Sequence, residues 1–130
     1  MKIVDTNLLL RYFLRDDPQK ADSVERLFKR ERKKLFIPDL IIAEVVWVLS
    51  SVYKQKREQI ALTVEGLLSL KDIKISHELI SKTLENYRHT NLKWVDSYIA
   101  ALVQIGDAEG VYSYDRDFNK IPGTRRLEPK

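Results

Sequence analysis

Short apolar runs alternate along this chain with longer stretches in which apolar residues recur every three or four positions. Lys2 to Val4 predicts a short buried strand. Thr6 to Leu14 carries Leu8, Leu9, Leu10, Tyr12, Phe13 and Leu14 and predicts a helix entered at Asp5-Thr6-Asn7. Asp17-Pro18 is a cap followed by proline at the first helical position. The helix it opens is expected to reach about Arg32, with Ala21, Val24, Leu27 and Phe28 on one face. Leu35-Phe36-Ile37 predicts a second strand, and Pro38 starts a helix to about Tyr53. Glu58 to Leu70 is a further helix, and Ile73 and Ile75 alternate with polar residues as in a third strand. Glu78–Tyr87 and about Lys93–Glu109 are helical, with Gly110 as the stop of the second. Val111 to Ser113 is a fourth strand, Asn119 to Gly123 a turn, and Thr124 to Leu127 an edge strand.

This alternation predicts one α/β domain over residues 1–130, in three layers, with a central, mostly parallel sheet of four or five strands flanked by helices. The length of 130 residues suits one domain with a real core, and an apolar fraction of 44% is that of a globular chain. With no cysteine, disulfides, thiolate zinc sites and cysteine nucleophiles are excluded. His77 and His89 form no recognisable ligand pair. No apolar run reaches transmembrane length and the first residues do not read as a signal peptide, so a cytoplasmic protein without membrane association is expected. The net charge of +4 biases the chain mildly toward polyanionic partners.

Four acids change the picture. Asp5 ends the first apolar run and Asp115 follows Val111-Tyr112-Ser113-Tyr114. Both therefore lie at carboxyl ends of strands, where ligands of open α/β sheets sit. Glu44 interrupts Ile41-Ile42-Ala43 and Val45-Val46-Trp47, and Asp96 opens an apolar helical stretch. A carboxylate among apolar residues is costly to bury without a partner. Four together would repel one another, and divalent cations would offset that repulsion. Oxygen-only ligation suits Mg²⁺ or Mn²⁺. Each acid also has a plainer reading. Asp5 could cap a helix, which contributes roughly 1 kcal/mol. Glu44 could lie on a narrow solvent stripe. Asp96 could be a first-turn acid favoured by the helix dipole, and Asp115 a turn or cap residue before Arg116-Asp117-Phe118.

Four motifs in order resemble those of the PIN-domain ribonucleases, specifically the VapC toxins of toxin–antitoxin pairs. They are Ile3-Val4-Asp5-Thr6-Asn7; Ile37-Pro38 followed by the helix that holds Glu44; Asp96-Ser97-Tyr98-Ile99-Ala100-Ala101; and Ser113-Tyr114-Asp115-Arg116-Asp117-Phe118. Ser113 stands where threonine is more usual and keeps the hydroxyl. The resemblance covers essentially the whole chain. It implies that Asp5, Glu44, Asp96 and Asp115 are catalytic, sharing one pocket as the ligands of Mg²⁺ or Mn²⁺, with Asp117 as an accessory ligand or an exposed helix-start acid. Thr6, Asn7 and Ser113 would position carboxylates or phosphate through hydrogen bonds, or cap the first helix and the last turn. The implied activity is metal-dependent endoribonucleolytic cleavage leaving a 5′-phosphate and a 3′-hydroxyl.

The acids repel phosphate, so other groups must hold the RNA. Arg11, Arg15, Lys93, Arg116 and Lys120 lie near the motifs and are candidates, each with a solvated surface as its alternative. The basic run Lys29 to Lys34 reads mainly as a solvated helix end. The resemblance further implies a homodimer and a small antitoxin laid across a groove, for which Leu9, Tyr12, Phe13, Trp47 and Tyr53 are apolar candidates. Three other functions compete. A PIN nuclease of RNA processing would use the same residues. A phosphoacceptor receiver domain wants its acidic pair at the end of the first strand, whereas Asp16-Asp17 follows the first helix. A non-catalytic binding module would have lost one of the four acids, and none is missing.

Overall fold

The computed structural model describes residues 1–130 throughout. Backbone contacts group them into two compact units, Met1–Ser76 and His77–Lys130. No helix is long and apolar enough to cross a membrane.

The first unit opens with β1 (Lys2–Ile3), then α1 (Thr6–Leu14) and α2 (Pro18–Glu31). A 3-10 turn, Arg32–Lys34, leads into β2 (Leu35–Phe36), followed by α3 (Asp39–Ser51) and α4 (Arg57–Leu68). β1 and β2 run parallel, with Lys2 opposite Leu35 and Ile3 opposite Phe36. On its other side Phe36 bridges Lys74, also in parallel. The third strand expected at Ile73–Ile75 is thus reduced to a single bridging residue, held by Ile37 N–H to Lys74 O and Lys74 N–H to Leu35 O, both 3.0 Å. Val4, Leu35 and Ile37 are fully buried, as are Ile42, Val45 and Leu49 of α3 and Ile60, Val64 and Leu67 of α4. Each such side chain contributes roughly 1.5–3 kcal/mol of hydrophobic stabilisation.

The local signals act as chemistry predicts. Asp17 Oδ1 accepts from Lys20 N–H at 3.2 Å, and Pro18 occupies the first turn of α2. Gln59 Oε1 accepts from Lys56 N–H at 3.0 Å at the start of α4. Gly66 lets α4 approach Phe13 of α1: a Cβ there would lie 2.8 Å from the ring.

The second unit pairs α5 (His77–His89) with α6 (Trp94–Gln104) and adds β3 (Val111–Tyr112), a 3-10 turn Arg116–Lys120 and β4 (Arg126–Leu127). Tyr87 and Trp94 meet edge to face at 5.5 Å between ring centres. Leu92, Ala100, Phe118 and Ile121 form a small core, with Ile99 and Val111 against it. β3 and β4 are parallel, with Val111 opposite Arg126 and Tyr112 opposite Leu127. Of the edge strand predicted at Thr124–Leu127, the last two residues pair as β4. α6 ends at Gln104 rather than near Glu109. Gly106 takes φ +89, a left-handed conformation that closes the helix four residues before Gly110.

An α/β arrangement with parallel strands is what the alternation predicts. A single central sheet of four or five strands is not what the pairing describes. There are two ladders, one per unit, of two-residue strands. The reason lies in the lengths: apolar runs such as Ile3-Val4 are too short to propagate a long ladder.

Candidate functional site

In the first unit the candidate residues converge on the start of α1. Asp5 follows β1 and is the residue before the first turn, with extended backbone angles of φ −79 and ψ 161. Its side chain makes no capping hydrogen bond. Asp5 is exposed, so the carboxylate stands ready for another partner. Thr6 is 6% exposed, and its Oγ1 donates to Glu44 Oε1. Thr6 thus holds the carboxylate of α3 beside the residue that follows β1. Glu44 itself is exposed. It lies on a narrow outward stripe of α3 with Leu40 and Trp47, which are 80% and 65% exposed, while Ile42, Val45, Val46 and Leu49 face the core. Glu44 thus lies on an outward stripe that is itself apolar, a placement compatible with ligation as well as with plain solvation.

Asn7 is exposed and lies on a cleft of about 640 Å³ between α1 and α2, with Leu8, Arg11, Lys20, Val24 and Arg30 also on its walls. Arg11 donates to Asp16 and to the Tyr53 hydroxyl, each at 3.0 Å. This hydrogen bond to the Tyr53 oxygen raises the Arg11 pKa above its ordinary value. Arg15 ends α1 in a left-handed conformation, φ 51. It faces Asp22 at 3.4 Å and Glu25 at 3.6 Å and lies over the Tyr12 ring. Both arginines thus have acidic neighbours within the unit.

In the second unit Ser113, Asp115 and Asp117 form one hydrogen-bonded turn. Asp115 N–H donates to Ser113 Oγ at 3.0 Å, and Asp117 N–H donates to Asp115 Oδ1 at 2.9 Å. The turn-capping reading of Asp115 is realised through one carboxylate oxygen, which leaves the other oxygen outside that bond. Asp117 pairs with Lys120 at 3.1 Å and is exposed. Arg116 is exposed too. Asp96 sits half-exposed in the first turn of α6, and Lys93 precedes it at the cap without a side-chain bond. Ser97, beside Asp96, is fully buried and its hydroxyl has no partner. Neither unit by itself gathers three acidic or histidine side chains into a ready metal cage.

Two residues that motif reading passes over organise these positions. Arg126 of β4 donates from Nη1 to Ser113 O at 2.9 Å and from Nε to Asn119 Oδ1 at 3.1 Å, which fixes the turn holding Asp115. Tyr53, read in sequence only as an apolar surface candidate, orients Arg11. No periodicity or motif marks either role, because both depend on contacts between distant segments. Of the other apolar surface candidates, Leu9 is fully buried core, Tyr12 and Phe13 are half-buried and in edge contact at 4.9 Å, and Trp47 is exposed.

The four acids thus lie after β1 and β3 and on α3 and α6, in units built of parallel strands and helices. The sequence profile of the PIN domain matches residues 2–124, across both units, and the chain belongs to the PIN domain family. It is also 30% identical over 135 aligned positions to a VapC ribonuclease of Aquifex aeolicus (strain VF5), an alignment that takes in 99% of this chain and 97% of that protein.

Proposed function

We propose that this chain is a divalent-metal-dependent endoribonuclease of the VapC type, acting in the cytoplasm and held in check by a small antitoxin. The observation that carries the reading is the start of α1. Asp5 occupies a capping position without capping, and its neighbour Thr6 holds Glu44. A purely structural aspartate there would bond the first-turn N–H groups.

The donor chemistry fits the implied ion. Asp5, Glu44, Asp96 and Asp115 offer only carboxylate oxygens, and the nearby Thr6 and Ser113 offer hydroxyls, a hard-ligand set suited to Mg²⁺ or Mn²⁺ rather than zinc. These four residues are the proposed ligands, with Asp117 adjoining. When bound, the ion supplies Lewis acidity at a phosphodiester oxygen and lowers the pKa of water. Thr6 fixes one oxygen of Glu44, and Ser113 and the Asp117 N–H fix Asp115. Their part is to keep carboxylates oriented when no ion offsets their charge. Lys93 and Arg116, exposed beside Asp96 and Asp115, are proposed to hold the RNA backbone, with Arg11, Arg15 and Lys120 in support.

The cleft between α1 and α2 supports the antitoxin reading. Leu8 and Val24 give it apolar walls, and Arg11, Lys20 and Arg30 give it cations, which suits an acidic amphipathic segment. The exposed Leu40 and Trp47 on α3 are the surface proposed for self-association. The experiment that tests the nuclease reading is cleavage of RNA by the purified protein in Mg²⁺ and in EDTA. Loss of cleavage in EDTA and in Asp5→Asn supports it, and metal-independent cleavage overturns it.

A further inference from the structure

We propose that a cleft on the second unit, between α5, the end of α6 and the segment after the last 3-10 turn, is a subsite for one unpaired nucleobase of the RNA. It has a volume of about 510 Å³, within the usual range for small-molecule sites, roughly 300–1,000 Å³. It rests on the ribonuclease reading only for the identity of its ligand.

The cleft has a built polar floor. Asn86 is 6% exposed, yet it lines the cleft. Its Nδ2 donates to Ser97 O at 3.1 Å and to Gln104 Oε1 at 2.8 Å. Gln104 Nε2 donates in turn to Pro122 O at 2.8 Å. This relay fixes the orientation of both amides. It commits both N–H groups of Asn86 and leaves its Oδ1 as an acceptor. It commits one N–H of Gln104 and leaves the other as a donor. An acceptor and a donor on two linked amides that line one cleft match the donor–acceptor pattern of a nucleobase edge. His89, exposed on the rim, supplies an imidazole face on which a base can stack.

The charges decide between base and phosphate. Lys82 on the rim is paired with Glu85 at 3.2 Å, and Lys120 with Asp117 at 3.1 Å. Lys82 is thus turned to Glu85, and Lys120 lies at the outer rim toward Asp117, where it can meet the RNA backbone, so the amides carry the recognition at the base of the cleft. The same Lys120 links the cleft to the fourth acidic motif. It holds Asp117, whose N–H is held by Asp115 Oδ1. A base in the cleft would therefore flank the bond that the Asp115 motif addresses, which makes Gln104, Asn86 and His89 determinants of cleavage-site preference.

The test uses the full chain carrying Asp96→Asn, in EDTA, so that binding is read without hydrolysis. The four ribonucleoside 5′-monophosphates and inorganic phosphate are titrated separately while side-chain amide signals of Asn86 and Gln104 are followed by NMR. We expect at least one nucleotide to shift both amides, and phosphate alone to shift neither. Gln104→Leu and, on the exposed rim where folding is not at stake, His89→Ala should each weaken that nucleotide about tenfold. In the otherwise native chain the same changes should alter the ratio of kcat/KM between RNAs that differ at one base beside the cut. No shift with any nucleotide, equal shifts with phosphate, or unchanged affinity in both variants overturns the subsite. Absence of RNA cleavage by the native protein, with the nucleotide shifts intact, would instead sink the nuclease reading and leave the subsite standing.

Discussion

The hydroxyl of Thr6, at the head of α1, donates to the carboxylate of Glu44, 38 residues further along the chain on α3. This bond ties the residue after Asp5 to an acid on the outward stripe of α3. Thr6→Val keeps shape and removes the donor. Because Thr6 is buried and its partner exposed, stability should change by less than about 1 kcal/mol. Cleavage should fall roughly 10- to 100-fold, as for lost supports of metal ligands, and Thr6→Ser should restore much of it. Mg²⁺ titrations of cleavage beside thermal melts check this. Undiminished activity in Thr6→Val would show that the bond is incidental.

Asp5 separates capping from catalysis. A capping aspartate replaced by alanine loses about 0.5–2 kcal/mol. The side chain here makes no capping bond, so Asp5→Ala should leave the melting curve within about 0.5 kcal/mol of the native one in EDTA. Asp5→Asn, which removes only the charge, should abolish cleavage. A destabilised alanine variant, or an active asparagine variant, would remove Asp5 from the site.

Asp115 and Asp117 share a turn but are predicted to differ. Asp117 is exposed and paired with Lys120, an arrangement worth roughly 0–1 kcal/mol. Asp117→Asn should therefore reduce cleavage less than tenfold, whereas Asp115→Asn should abolish it. Steady-state kinetics on one RNA would show the contrast. Equal loss in both would promote Asp117 to a ligand.

Leu40 and Trp47 are among the most exposed apolar side chains of the molecule. If they mediate self-association, Leu40→Ser with Trp47→Ser should shift the protein toward monomer in analytical ultracentrifugation without lowering its stability. An unchanged sedimentation profile would place the contact elsewhere.

The legible parts of the fold are those written in local chemistry. Asp17-Pro18 announces α2, and the strand–helix alternation gives the parallel strands. The end of α6 was less legible, because Gly106 and Gly110 are both plausible stops and only backbone geometry picks the first. The exposure of Glu44 was ambiguous for a different reason. The outward stripe of α3 carries Leu40 and Trp47, so the pattern cannot distinguish it from the core face. The four acids stand out in sequence, but the groups that hold them do not. Thr6 on Glu44 and Arg126 on Ser113 are contacts between segments far apart in the chain, which no spacing rule encodes.

The proposed function requires that the four acids cut RNA through divalent ions. The most direct measurement is to map 5′-phosphate ends in total RNA incubated with the purified protein, in Mg²⁺ and in EDTA, beside Asp96→Asn. New, discrete ends should appear with Mg²⁺ and vanish in EDTA and in the variant. Ends that persist in EDTA or in Asp96→Asn, or none at all with either Mg²⁺ or Mn²⁺, would contradict it.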